Sequence, residues 1–170
     1  NGKFWFQLYH PAEESVTKDL LKRAEFSGCK VLIILADVPS FGYRPRDIRN
    51  GLAMPPKLTL KNIIQVLKKP EWALKTLING QPSFEVLKPY MPKSLNLKQL
   101  AKFMDSTFSG RLNEEKIKKL RDSWKGKLVI KGTESVHDIE KAYKLGIDGV
   151  IISNHGGRQV DVGQAAVDSL

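Results

Sequence analysis

Gly149-Val150-Ile151-Ile152-Ser153-Asn154-His155-Gly156-Gly157-Arg158-Gln159 is the stretch that decides how the rest of the chain is read. Its apolar beginning is a short continuous run that stops abruptly at turn-forming residues, the pattern of a parallel strand covered on both faces. A histidine, two glycines and an arginine follow, where no core would want all four. In α/β proteins the C-terminal ends of such strands carry the chemistry. A base and a carboxylate-reading cation, three residues apart at such an end, are the first functional expectation.

Working outward, Lys127-Leu128-Val129-Ile130 is a second run of this kind, delivering Lys131 and Gly132. Between the two runs, Ser135 with Asp138 resembles a capping box, with an aspartate in the usual glutamate place. Val136, Ile139, Ala142 and Tyr143 then mark the inner stripe of a helix that Gly146 ends. Upstream, Asn113 caps a helix through Ile117, Leu120 and Trp124, with Glu114 and Glu115 in the first turn, where the dipole favours them. Near the start, Phe4-Trp5-Phe6-Gln7-Leu8-Tyr9 is rich in strand formers and places Gln7 and Tyr9 on one side. His10-Pro11 breaks it. Val16, Leu20, Leu21 and Ala24 make a helical stripe that stops at Gly28, and Val31–Ala36 is a strand closed by Asp37. Strand, helix and strand within about 35 residues form a βαβ unit with parallel strands.

Two βαβ units are therefore separated by a helix and a long excursion, at about residues 38–110. It opens with an arginine-rich, turn-rich segment from Val38 to Gly51. Helical patterns follow at Leu60–Leu67, Trp72–Ile78 and Leu97–Met104, punctuated by prolines. Long excursions between core elements are often lids or binding loops, so residues 1–170 are read as one domain with a lid.

Composition is globular, with 41% hydrophobic and 27% charged residues. The single cysteine, Cys29, reads as a buried thiol in a reducing compartment, and no apolar stretch approaches a membrane span. A cytoplasmic setting is the default. The formal charge of +10 lies largely in lysines at helical spacing, the pattern of solvated helix faces. A nucleic-acid footprint would gather arginine and aromatic residues on one surface, and none is expected here. An anionic ligand or an anionic membrane surface is compatible with the excess. Asn1 at the start and the helical character of Gln164–Leu170 at the end read as an internal piece of a longer protein.

Four parallel strands with interleaved helices fit half a (β/α)₈ TIM barrel or a doubly wound sheet. No Gly-x-Gly-x-x-Gly turn, phosphate loop or paired-cysteine metal signature is present. The strand ends decide for the barrel, because Gln7 with Tyr9, Asp37, Lys131, and Ser153 with His155 all fall at or just past a C-terminal end. In a barrel those ends ring one pocket. His155 and Asp37 then make a base and its orienter, since a carboxylate stabilises imidazolium as it forms. Lys131 is placed to neutralise a bound anion or an anionic cofactor ring. Arg158 and Arg44 suit bidentate capture of a carboxylate, and Gly156-Gly157 lets a flat ligand approach the backbone. His10 and His137 have no such company and take no role. Such a site binds a small carboxylate and removes a proton beside it.

The heptad Ser153–Gln159, preceded by Lys131-Gly132, by Asp37-Val38-Pro39 and by Phe6-Gln7-Leu8-Tyr9, resembles the FMN-dependent α-hydroxy-acid oxidase and dehydrogenase family. Arg44 with Asp47-Ile48-Arg49-Asn50 resembles that family's segment after the strand ending at Asp37. The resemblance implies a (β/α)₈ barrel with FMN at its mouth, of which these residues are the third to sixth strands. It implies oxidation of an L-2-hydroxy acid, lactate-like, to the 2-oxo acid, with an oxygen, quinone or cytochrome acceptor, in a homotetramer. His155 would be the base and Asp37 its partner. Arg158, Arg44 and Tyr9 would hold the substrate, and Gln7, Lys131 and Ser153 would contact the isoalloxazine. Two departures stand out: Leu35 where the family commonly has a flavin-touching threonine, and Tyr43 where some relatives have arginine. The resemblance also puts the FMN phosphate site outside these residues, so this stretch alone is expected to hold FMN weakly. A flavin-free barrel acting as a binding scaffold is the alternative that Leu35 raises.

Overall fold

A computed structural model of the chain describes residues 3–38, 44–51, 59–80, 84–92, 97–108, 111–159 and 162–170. The elements run β1 (Trp5–Leu8), α1 (Glu14–Phe26), β2 (Val31–Leu35), α2 (Pro45–Arg49), α3 (Leu60–Leu67), α4 (Pro70–Asn79), α5 (Leu97–Thr107), α6 (Glu114–Ser123), β3 (Lys127–Lys131), α7 (Val136–Lys144) and β4 (Gly149–Ile151). The strands form one parallel sheet in the order β1-β2-β3-β4. Parallel neighbours need a crossover rather than a tight turn, and α1 and α7 supply two of them. Strand order that never reverses is the barrel's order, whereas a doubly wound sheet has a switch point.

Register fixes which side chains share a face. Gln7, Ile33, Val129 and Gly149 are level across the sheet, and Leu35, Lys131 and Ile151 are level two residues further on. Side chains alternate along a strand, so these two rows lie on one face. The intervening Leu8, Leu32, Ile34, Leu128 and Ile130 point the other way and are buried. They form the core with Val16, Leu20, Leu21 and Ala24 of α1, Ile117 and Leu120 of α6, and Trp124. Full burial of one such aliphatic side chain stabilises by about 1.5–3 kcal/mol. Cys29 is buried beside the sheet, its Sγ 3.2 Å from the Val31 carbonyl oxygen.

Some helix ends follow the local chemistry expected of them and one does not. Asn113 accepts the Lys116 amide at 2.9 Å and caps α6. Gly28, at φ +80°, takes the left-handed conformation past the end of α1. Ser135 does occupy the N-cap of α7, but its side chain makes no capping bond, and the Asp138 amide reaches the Ser135 carbonyl instead. The inner stripe of α7 is also narrower than its spacing suggests. Ala142 is buried and Ile139 half-buried, whereas Val136 and Tyr143 are exposed because they sit at the edge of that stripe.

Asp148 ties β4 to the start of β3. It accepts Lys127 Nζ at 2.8 Å, the Leu128 amide at 2.9 Å and Arg121 at 2.9 Å. The Lys127 and Leu128 bonds lead in pulling its pKa down to about 2, so it is a carboxylate throughout the neutral range.

The chain clusters into two compact units, Asn1–Tyr43 with Asp105–Leu170, and Arg44–Met104. The first holds the whole sheet. The second lies within the excursion and contains α2, α3, α4 and most of α5.

Candidate active site

The site is built where β2, β3 and β4 end. Asp37 stands two residues past the end of β2 and is buried, with its side chain 4% exposed. Three groups surround its Oδ2. The Lys131 ammonium, at the end of β3, donates to it. The Ser153 hydroxyl, two residues past β4, donates to it at 2.8 Å. His155 Nδ1 faces it at 3.6 Å, within ion-pair reach but beyond hydrogen-bond length. A buried carboxylate demands such compensation, because a lone charge out of water costs several kcal/mol.

Ser153 is the hub. Besides donating to Asp37, its hydroxyl accepts Lys131 Nζ at 3.0 Å and the His155 main-chain amide at 3.0 Å. One donor and two lone pairs are a hydroxyl's whole capacity. Any contact from Ser153 to a bound group would therefore come from its main chain.

His155 is held by an unusual backbone. Its φ is +59°, and Gly156 and Gly157 follow at +63° and +69°. The left-handed region costs a side-chain-bearing residue about 1–2 kcal/mol, and such strain clusters at functional sites. Asn154 supports the turn: its Oδ1 accepts the Gly157 amide at 3.2 Å and its Nδ2 donates to the Gln164 carbonyl at 2.7 Å. The side chains of His155 and Lys131 are about one-fifth exposed, 19% and 21%, against 4% for the carboxylate between them. Asp37 Oδ1 and His155 Nδ1 are buried with no hydrogen-bond partner.

Gly132 escaped sequence reading, which took it only as the residue after Lys131. At φ +101°, it lies so close to Asp37 that an added Cβ would fall 2.5 Å from the Asp37 amide nitrogen and 2.6 Å from its Cγ. Asp37 occupies the space a side chain would need. The signal in the sequence is a lone glycine after a strand, which has no meaning until β2 is known to lie alongside.

The remaining expected residues divide. Gln7 lies on the same sheet face as Lys131, is exposed, and stands at the end of β1. Tyr9 follows it and packs edge-on against Phe108, with ring centres 6.1 Å apart. Arg158 ends the turn and is exposed, with no ion pair among the described residues. Arg44 belongs to the second unit, where it precedes α2 and faces Asp47 at 4.0 Å. Tyr43 lies outside the described residues. His10 is partly buried, and desolvation followed by the charge of Lys116 pulls its pKa down to about 4, so it is neutral at physiological pH.

A parallel strand–helix arc with an imidazole, a carboxylate and an ammonium gathered at its C-terminal ends has the arrangement of an α/β barrel's mouth. The family described as FMN-dependent dehydrogenase matches the chain over residues 1–170. The chain belongs to that family. The L-lactate dehydrogenase of Caulobacter vibrioides is 36% identical over 159 residues, 93% of this chain and 41% of that protein. Among solved structures, the monotopic membrane protein (S)-mandelate dehydrogenase is similar with a TM-score of 0.88 and 31% identity, over 99% of this chain and 44% of that one. A mandelate oxidase variant holding a C4a-OH-FMN adduct is similar at TM-score 0.65 and 26% identity, over 100% of this chain and 38% of its own. The chain spans about two-fifths of the length of the curated relatives it matches. Its four strands are thus one arc of a (β/α)₈ barrel.

The residues present fit the family's cofactor on most counts. Gln7 and Lys131 offer donors on one face, beside the apolar row of Ile33, Val129 and Gly149. The third Lys131 ammonium proton has no protein acceptor among the described residues. Leu35 does not contribute, for it is level with Lys131 yet brings no hydroxyl. Leu35→Thr in the full-length protein is expected to tighten FMN binding about 2- to 10-fold, the worth of one neutral hydrogen bond of about 0.5–1.5 kcal/mol. Fluorescence titration of the folded protein measures it, and unchanged or weaker affinity would remove position 35 from the cofactor's surroundings.

Proposed function

We infer that the protein oxidises an L-2-hydroxy acid to the 2-oxo acid with FMN as cofactor, and that His155 is the base. The observation that carries this reading is the cluster of Asp37, Lys131, Ser153 and His155 around one buried carboxylate. His155 Nδ1 faces Asp37, which leaves Nε2 to take the proton of the substrate. The carboxylate stabilises the imidazolium that results, and holds the ring in one orientation. Lys131 keeps a positive charge beside the place where negative charge develops, a preorganised term that costs no rearrangement during the reaction. Arg158 and Arg44 bind the substrate carboxylate by paired N–H donors, and Tyr9 donates to the substrate. Gln7, Lys131 and the main chain of Ser153 would hold FMN, which would supply a two-electron acceptor. The electrons would leave the site to an external acceptor, oxygen, a quinone or a cytochrome.

Residues 1–170 act as part of one barrel that carries a long loop or lid excursion at about residues 38–110. The relatives named for lactate and mandelate support a small 2-hydroxy acid, and a homo-oligomer accords with the family resemblance. Similarity to a protein described as monotopic extends the reading to peripheral membrane attachment; among the described residues no helix is long and apolar enough to cross a membrane. Leu35 gives a flavin-free scaffold its one specific support.

A single experiment separates the two readings. Full-length protein is purified and mixed anaerobically with L-lactate or L-mandelate. Loss of the oxidised-flavin absorbance is expected with an L-acid and not with its D-enantiomer. A colourless protein, or a yellow one that neither L-acid bleaches, would defeat the proposal.

A further inference from the structure

Tyr9, the proposed donor to the substrate, is a residue whose side chain the core does not fix. It directly follows the last residue of β1 and is 41% exposed, so water rather than packed side chains covers part of its ring. Its main chain is better held. Leu8 before it is buried, and Pro11 beyond it is fully buried, with a ring that locks its own φ. A side chain left to swing on an anchored backbone must be ordered each time it meets a ligand, and that ordering opposes binding.

The segment at which the excursion returns removes that freedom, and it does so within the first unit. Helix α5 ends at Thr107, whose carbonyl oxygen accepts the Ala12 amide at 2.7 Å. This bond ties the loop after Tyr9 to the end of α5. The next residue, Phe108, then meets Tyr9 with ring centres 6.1 Å apart and ring planes inclined by 74°. In such an edge-to-face pair the positive rim of one ring lies against the negative face of the other, so the contact favours one tilt over others. Among the described residues no other aromatic ring packs on Tyr9. Phe108 itself is half-buried and stands outside the core that β1, β2 and β3 form with α1 and α6. An aliphatic side chain of similar bulk could fill its space, but it has no charge pattern with which to orient a neighbouring ring.

We propose that Phe108 is a positioning residue for Tyr9: its edge-on contact holds the tyrosine ring at one tilt, so that the hydroxyl is presented to the substrate before the substrate arrives. This rests on the reading that Tyr9 donates to the substrate, and it adds the residue that presents the donor.

The test uses full-length protein and anaerobic stopped-flow reduction of its flavin by L-lactate or L-mandelate. Phe108→Leu is expected to raise the half-saturating acid concentration about 2- to 10-fold, the equivalent of losing one aromatic pair. The limiting rate should hold, because a contact made equally before and during the reaction acts on binding alone. Phe108→Tyr keeps the ring and should keep the wild-type half-saturation. In a Tyr9→Phe background, which has no hydroxyl to present, Phe108→Leu should change nothing further. Wild-type half-saturation in Phe108→Leu would overturn the proposal, as would an equal effect of that exchange with and without the Tyr9 hydroxyl. A second measurement needs no turnover. In protein labelled with fluorotyrosine, the fluorine NMR signal that Tyr9→Phe removes belongs to Tyr9, and Phe108→Leu should shift it. An unmoved signal would also overturn the proposal. A shifted signal in a protein whose flavin no L-acid bleaches would sink the proposed activity and leave the packing of Tyr9 on Phe108 standing.

Discussion

His155→Gln in the full-length protein is expected to slow anaerobic flavin reduction by an L-2-hydroxy acid about 10²- to 10⁴-fold, the range for loss of a positioned general base. Glutamine retains side-chain bulk and hydrogen-bonding capacity, but it takes no proton at neutral pH. The backbone position, at φ +59°, is strained for both residues, so the fold should survive the exchange. The flavin spectrum should survive too, because the proposed cofactor contacts come from Gln7, Lys131 and Ser153. Stopped-flow absorbance measures the rate. Bleaching at the wild-type rate would remove His155 from the role of base, and Lys131 would become the next candidate.

Gly132→Ala is expected to have a large structural effect. The new Cβ would fall on Asp37, 2.5 Å from its amide nitrogen, at a backbone φ of +101° that L side chains rarely adopt. Backbone strain of about 1–3 kcal/mol and overpacking of a similar size both apply. Moving Asp37 away would also uncouple it from Lys131, Ser153 and His155 together, so cofactor binding should fall along with stability. Gly28→Ala is the internal comparison. Its φ is +80°, with nothing within 4 Å of the added carbon, so only the cost of the left-handed conformation, about 1–2 kcal/mol, is expected. Urea denaturation of the full-length variants measures both. Equal midpoints for the two variants would show that close packing of Gly132 on Asp37 contributes little.

Much of this arrangement is legible in the sequence. The apolar runs at Val31–Leu35 and Lys127–Lys131 became parallel strands, and the polar residues after them collected at one end. Gln7, Asp37, Lys131, Ser153 and His155 could be placed because strand ends are announced by a change in residue type, a local signal. The inner stripe of α7 was legible only in part. Periodicity shows which side of a helix is apolar, but not how wide a strip its neighbour covers, so Val136 and Tyr143 stay in water.

Inside the site, the chain alone determined the membership of the cluster, and the tertiary structure decided its pairings. Asp37 and His155 read naturally as carboxylate and base, yet Lys131 and Ser153 take the hydrogen-bonding positions on Asp37 Oδ2 while His155 stands 3.6 Å away. Three groups approach one oxygen, and a difference of 0.8 Å between the Ser153 hydroxyl and the imidazole, 2.8 Å against 3.6 Å, settles which of them bonds it. That difference comes from the register that sets Leu35, Lys131 and Ile151 level across three strands. The same holds for Gly132, whose need to be glycine comes from a residue 95 positions earlier. Local propensity writes helices, strands and their polar ends into the sequence. Contacts between distant segments exist only once the sheet has assembled, and on those contacts the cluster depends.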